Sequence, residues 1–212
     1  GSDVDSIVFV ECTGSMDNIQ SKEEVEWVEE LAAGDNRIQG IVAHVSLEDG
    51  ESAIDYLNWL ADRPLVKGVR RLLQGESDPL FCLQAPFIDN IQRLESLKLS
   101  FDICIVHHQM PAVIEMVKRC PNVEFILDHG GKPDLKQSQI ATWKEHLEQL
   151  ASHSNVSCKL SGLITEAHHA SWTGEDVMPA MRHVLACFGS NRVLFGGDWP
   201  VVLLAGKWQR WQ

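Results

Sequence analysis

Seven short apolar runs, each released by turn residues and separated from the next by a helical pattern, set what this chain can become. They fall at 6–10, 38–45, 66–73, 101–106, 123–127, 156–160 and 193–195. Between them, helical periodicity covers 19–33, 52–61, 87–97, 112–119, 137–152 and 175–188, and 201–212 has room for part of one more helix. In the first of these, Val25, Val28, Leu31 and Ala32 form an apolar stripe on an acidic surface. Pro111 stands where the first turn of a helix tolerates a missing N–H. Continuously apolar strands are buried on both faces, which means a parallel sheet covered by helices. A barrel places so many units without leaving an edge. The alternative, an open doubly wound sheet, lacks its usual mark, since the first strand–helix turn has no GxGxxG fingerprint. The expected fold is therefore an α/β barrel of the (β/α)8 TIM-barrel type, with seven of its eight strands visible in residues 1–212 and forming a single domain.

Charge and cysteine usage narrow the partners. A formal net charge of −12 argues against a nucleic-acid surface, which needs a basic face. The acidic excess lies largely in 23–30 and 48–55, which read as solvated helix faces. No apolar run approaches the roughly 18 residues of a membrane helix, and there is no signal-peptide pattern. Six cysteines are scattered without a CxxC pair, and Cys12, Cys104 and Cys158 lie where small buried hydrophobes belong. The expectation is a reducing, cytoplasmic setting, no disulfide framework, and a small-molecule partner rather than nucleic acid or membrane.

Chemistry gathers at one end of the strands. Asn122–Pro133 reads NVEFILDHGGKP: an apolar run that ends in Asp128 and His129 and is then broken by Gly130 and Gly131. Four other strands finish alike, in Glu11, in Arg70 and Arg71, in His107 and His108, and in Asp198. A barrel collects C-terminal strand ends around one cavity. His107 and His108 are adjacent, so in a strand at most one faces that cavity. Lys159 interrupts the run 156–160, and a buried charge is costly unless paired, so it is expected to point to the polar mouth. Arg71 reads equally as a solvated side chain, and Asp198 has a helix cap as its plainer role. His44, His146, His153 and His183 read as structural, while His168 and His169 occupy a loop able to close over the site. Two chemistries suit the set. One is a divalent metal held by histidines and an aspartate. The other is an acid–base site in which Asp198 activates water while His129 and Arg70 polarise a carbonyl. No HxH or HExxH pair is present, so spacing alone does not complete a zinc site.

A set of motifs, in order, carries a family resemblance: Val66-Lys67-Gly68-Val69-Arg70; His108-Gln109-Met110-Pro111; Leu127-Asp128-His129-Gly130-Gly131-Lys132-Pro133; Cys158-Lys159-Leu160-Ser161-Gly162 with Thr165-Glu166-Ala167; and Phe195-Gly196-Gly197-Asp198-Trp199-Pro200-Val201. In these the chain resembles the amidohydrolase superfamily, specifically its amidohydrolase-2 branch of sugar lactonases and metal-dependent hydrolases of the TIM-barrel fold. The resemblance implies hydrolysis of a sugar-acid lactone. It assigns Asp198 and His129 to catalysis, Arg70, His108, Lys159 and Trp199 to substrate, and His108, His129 and Asp198 to a divalent metal, zinc first. In that family a first strand ends in an HxH pair. The match begins at the family's second strand, so that strand and the last helix are expected to lie outside these residues. Two other readings stand beside it: a decarboxylase of muconate-like acids, and a non-catalytic barrel that binds or forms homo-oligomers through its unpaired edges.

Overall fold

Each apolar run becomes a strand that pairs in parallel with the next in sequence. The computed structural model describes residues 4–12, 17–137 and 140–212. Among these the strands are β1 (Ile7–Val10), β2 (Ile38–His44), β3 (Val66–Leu72), β4 (Ser100–Cys104), β5 (Phe125–Leu127), β6 (Val156–Leu160) and β7 (Val193–Phe195). Their order in the sheet is their order in the chain. The crossover helices are α1 (Asn18–Gly34), α2 (Glu51–Ala61), α3 (Ala85–Leu97), α4 (Met110–Arg119), α5 (Ala141–Ala151) and α6 (Gly174–Phe188), with a short α7 (Trp208–Trp211) at the end. Parallel strands need such crossovers, and sequential strands lie side by side because each connection is short. Among the described residues β1 and β7 each have one strand neighbour, so the sheet curls without closing.

Local chemistry fixes the helix starts. Asp17 caps α1, its Oδ1 accepting from the backbone N–H of Ile19 at 3.0 Å and of Gln20 at 2.8 Å. Thr173 and Asp176 form a reciprocal capping box at the start of α6. Prolines open α3 and α4, where the first N–H groups have no intrahelical partner. In the core, Phe87 of α3, Phe101 of β4 and Phe125 of β5 meet edge to face, with centroids 5.9 and 6.3 Å apart. Phe101 and Phe125 are also register partners, so a one-residue slip between β4 and β5 would break the ladder.

Three expectations are corrected. The fourth strand ends at Cys104 rather than 106, and His107 and His108 lie in a 3-10 turn (His107–Gln109), so the alternation of a strand does not govern them. The fifth strand starts at Phe125, because Val123 is taken up in the preceding turn through its N–H to the Cys120 carbonyl. Cys12 is exposed, whereas Cys104 and Cys158 are buried. Residues 13–15, expected to follow the first strand, and 138–139, expected within the fifth helix, lie outside the described residues. No helix among the described residues is long and apolar enough to cross a membrane.

Candidate active site

The strand tips meet in a line of alternating charge. Glu11 follows β1, Arg70 is on β3, Asp102 on β4, Asp128 follows β5 and Lys159 is on β6. Arg70 reaches Glu11 with Nε to Oε1 at 2.8 Å and Nη2 to its carbonyl at 2.6 Å, and reaches Asp128 with Nη1 to Oδ2 at 2.9 Å. Lys159 Nζ lies 2.7 Å from Asp128 Oδ1 and also bonds Asp102 Oδ2. Glu11, Asp102 and Asp128 are buried. Burial alone would raise Asp128, but Lys159, His129 and Arg70 hold its carboxyl down at about 2. Burial first, and then the charge of Asp128, pushes Asp102 up against the opposing pull of Lys159. Asp128 is thus a permanent anion fixed between two cations.

Beside this line stands a second group: His129, Ser161 and Asp198. His129 follows Asp128 with φ 54°, and Gly130 follows with φ 59°, a left-handed step that turns the chain out of β5. Trp143 of α5 donates its Nε1–H to the Gly130 carbonyl at 2.8 Å and pins this turn from behind. His129 Nδ1 lies 2.8 Å from Ser161 Oγ, and Nε2 lies 3.7 Å from Asp198 Oδ1. Burial pulls His129 down to about 4, so the ring is uncharged at neutral pH. Burial pushes Asp198 up to about 6, and nearby Lys132 does not reverse it. Asp198 itself has φ 51°. Such strain in a non-glycine residue is held by its surroundings and is concentrated at functional sites. Gly162 makes the approach feasible. A Cβ there would stand 2.7 Å from His129 Nδ1 and 2.9 Å from Asp198 Oδ2.

The structure brings together His129, Asp198, Arg70 and Lys159 but treats them differently. The nitrogens of Arg70 are occupied by the carboxylates of Glu11 and Asp128 and the Glu11 carbonyl, and the ammonium of Lys159 by Asp102 and Asp128. His108 is exposed on its turn, and His107 Nδ1 lies 3.2 Å from the Lys132 carbonyl. Trp199 is 71% exposed just past Asp198. Two residues escaped the sequence reading: Asp102, the buried partner of Lys159, and Ser161, the partner of His129. Asp102 was open to the same argument as Lys159, a charge inside the apolar run of β4.

Metal-ligating side chains gather in two places among the described residues. At the strand tips, Cys104, Asp128 and His129 offer sulfur, oxygen and nitrogen donors within 4.8 Å of one another. These donor types suit zinc. Both Asp128 oxygens are held by cations, so an ion would enter by exchanging partners with Lys159 or Arg70. Of the set His108, His129 and Asp198, the last two face each other and His108 does not join that gathering.

Comparison with known proteins matches this architecture closely. An amidohydrolase family model matches residues 14–212. An L-fucono-1,5-lactonase of Burkholderia ambifaria is 30% identical over 198 residues, covering 93% of this chain and 67% of the relative. One of Burkholderia multivorans is 32% identical, covering 88% of this chain and 66% of the relative. The chain thus spans about two thirds of the length of these curated relatives. A crystal structure of an amidohydrolase from Burkholderia multivorans with bound zinc is 29% identical, with a TM-score of 0.87 over 98% of this chain and 72% of that one.

Proposed function

This chain belongs to the amidohydrolase family, and from that premise we infer that it opens sugar-acid lactones by hydrolysis. The observation that carries the reading is the pairing of a carboxylate raised to about 6, Asp198, with an uncharged His129 at 3.7 Å. A general base works best when its pKa lies near the working pH. Above about pH 6, Asp198 is ionised and takes a proton from a water as that oxygen adds to the lactone carbonyl carbon. In the tautomer this reading takes, Ser161 donates to His129 Nδ1 and the ring proton sits on Nε2, available to the carbonyl oxygen. When the ring C–O bond breaks, the proton on Asp198 passes to the departing oxygen and the product is a free hydroxy acid. Arg70 and Lys159 act through Asp128, fixing the loop that carries His129. Trp199 and His108, both exposed, are the residues this reading gives to the sugar.

Zinc would be held by Cys104, Asp128 and His129, the imidazole turning its unprotonated nitrogen from Ser161 to the ion; bound there it would supply Lewis-acid polarisation of a carbonyl. Six free cysteines fit a cytoplasmic setting. The activity test is proton release from L-fucono-1,5-lactone and related aldonolactones in weak buffer. Lactone-dependent acid release that is lost in Asp198→Asn is expected. Carbon dioxide released from a muconate-type acid with no lactone opening would replace the reading by a decarboxylase. Neither activity would leave a binding module.

A further inference from the structure

The second gathering of metal-ligating side chains lies away from the strand tips, on the outer layer where α5 packs against α6. His183 and Cys187 stand four residues apart on α6, the spacing that puts two side chains on one face of a helix. Glu148 comes from α5. Around His183 Nε2 lie the Lys144 carbonyl oxygen at 3.3 Å, Cys187 Sγ at 3.5 Å and Glu148 Oε1 at 3.7 Å. The three side-chain donors all fall within 4.8 Å of one another. Trp143 backs the imidazole, its ring centroid 5.5 Å from that of His183, and so orients it. Glu148 is 64% exposed in its side chain, which leaves an approach from solvent.

Two oxygen acceptors and a thiol crowd one ring nitrogen that, in a neutral imidazole, carries at most one proton. An ion among them would give every one of these groups a partner. We propose that Glu148, His183 and Cys187 form a second metal site, taking zinc or a similar borderline-soft divalent ion and tying α5 to α6. The donor set of thiolate, imidazole and carboxylate is one zinc uses, with the fourth position open to water or to the Lys144 carbonyl. Binding replaces the thiol proton of Cys187, which leaves to solvent as the sulfur–metal bond forms.

Cobalt(II), a coloured substitute for zinc, reads the site directly, because a thiolate ligand gives a charge-transfer band. The intact chain is expected to show that band, to lose it on addition of zinc, and to melt higher with zinc than without. In a Cys104→Ser background, which removes the thiolate at the strand tips, the band should remain, and adding Cys187→Ser should abolish it. Glu148→Gln alters an exposed side chain that folding does not need, and should weaken zinc at least as much as the ~10–100-fold expected for loss of an outer-shell partner. A Cys104→Ser chain that shows no band, or whose band survives the added Cys187→Ser, would overturn the proposal. So would undiminished zinc affinity on adding Glu148→Gln to that chain.

Discussion

Asp128 and Asp198 stand at the tips of β5 and β7, and their surroundings drive them in opposite directions. Asp128 is held at about 2 between Arg70 and Lys159, while Asp198 is raised to about 6 by burial. The strands beneath them differ in the same sense. β5 is paired on both sides, and Phe125 and Leu127 are buried. Among the described residues β7 has one strand neighbour, and Leu194 is 41% and Phe195 60% exposed. Two carboxylates pushed apart in this way suit different tasks, and the proposed function gives Asp128 the fixed charge and Asp198 the moving proton.

Removing the reactive partner should have the largest effect and leave the fold alone. Asp198→Asn is expected to lower kcat by about two to four orders of magnitude, the usual worth of a general base, with the melting temperature unchanged or slightly raised. Steady-state kinetics beside a thermal melt checks both halves. An active Asn variant would put the base elsewhere.

The centre should answer in stability. Lys159→Met leaves Asp102 and Asp128 without their shared cation. Breaking a buried ion pair from one side costs about 3–5 kcal/mol, a large part of a domain's roughly 5–15 kcal/mol. Urea unfolding should show it as a lower midpoint. A variant as stable as the parent would mean that the line of charges holds nothing together.

Gly162 joins the two regions, and its effect should lie between them. At φ +61° it tolerates an alanine only with strain of about 1–3 kcal/mol. The new Cβ would push on His129 and Asp198 at once. A displacement near 1 Å costs on the order of 10²-fold in rate, so Gly162→Ala should lose more in kcat than in melting temperature.

Much of this was legible in the chain. The seven strands, their parallel order and the crossover helices follow from apolar runs and periodicity, and β6 and β7 were bounded to the residue. The end of β4 was not: the run through Ile105 and Val106 stays apolar after the ladder has stopped, and the turn is marked by the bonds between Val106 and Gln109, from the Gln109 N–H to the Val106 carbonyl and from the Val106 N–H to the Gln109 side chain. The need to pair Lys159 was readable from its burial, but its partners were not, since Asp102 and Asp128 are 57 and 31 residues away in sequence. The roles of Ser161 and Gly162 depend on how closely β6 approaches the β5 and β7 tips, a distance no linear pattern encodes.

The smallest effect is the most diagnostic, because it reads the sign of each shift. A carboxylate raised from 3.8 to about 6 adds stability below about pH 4 that is lost as the pH climbs through 6. Asp198→Asn removes that loss, so its melting curve should match the parent near pH 4 and rise above it by pH 7. Asp128 works the other way. Lowered to about 2, it contributes stability above about pH 4 that disappears as the pH falls toward 2. Asp128→Asn should therefore melt well below the parent at pH 7, with the gap narrowing under acid. The activity profile adds a check on the same group, with kcat/KM falling about tenfold per unit below pH 6 as Asp198 takes up its proton. Thermal melts of the three proteins from pH 3 to 8 would settle the comparison. Two Asn variants that diverge from the parent in the same direction would show that the two aspartates do not differ as their surroundings require.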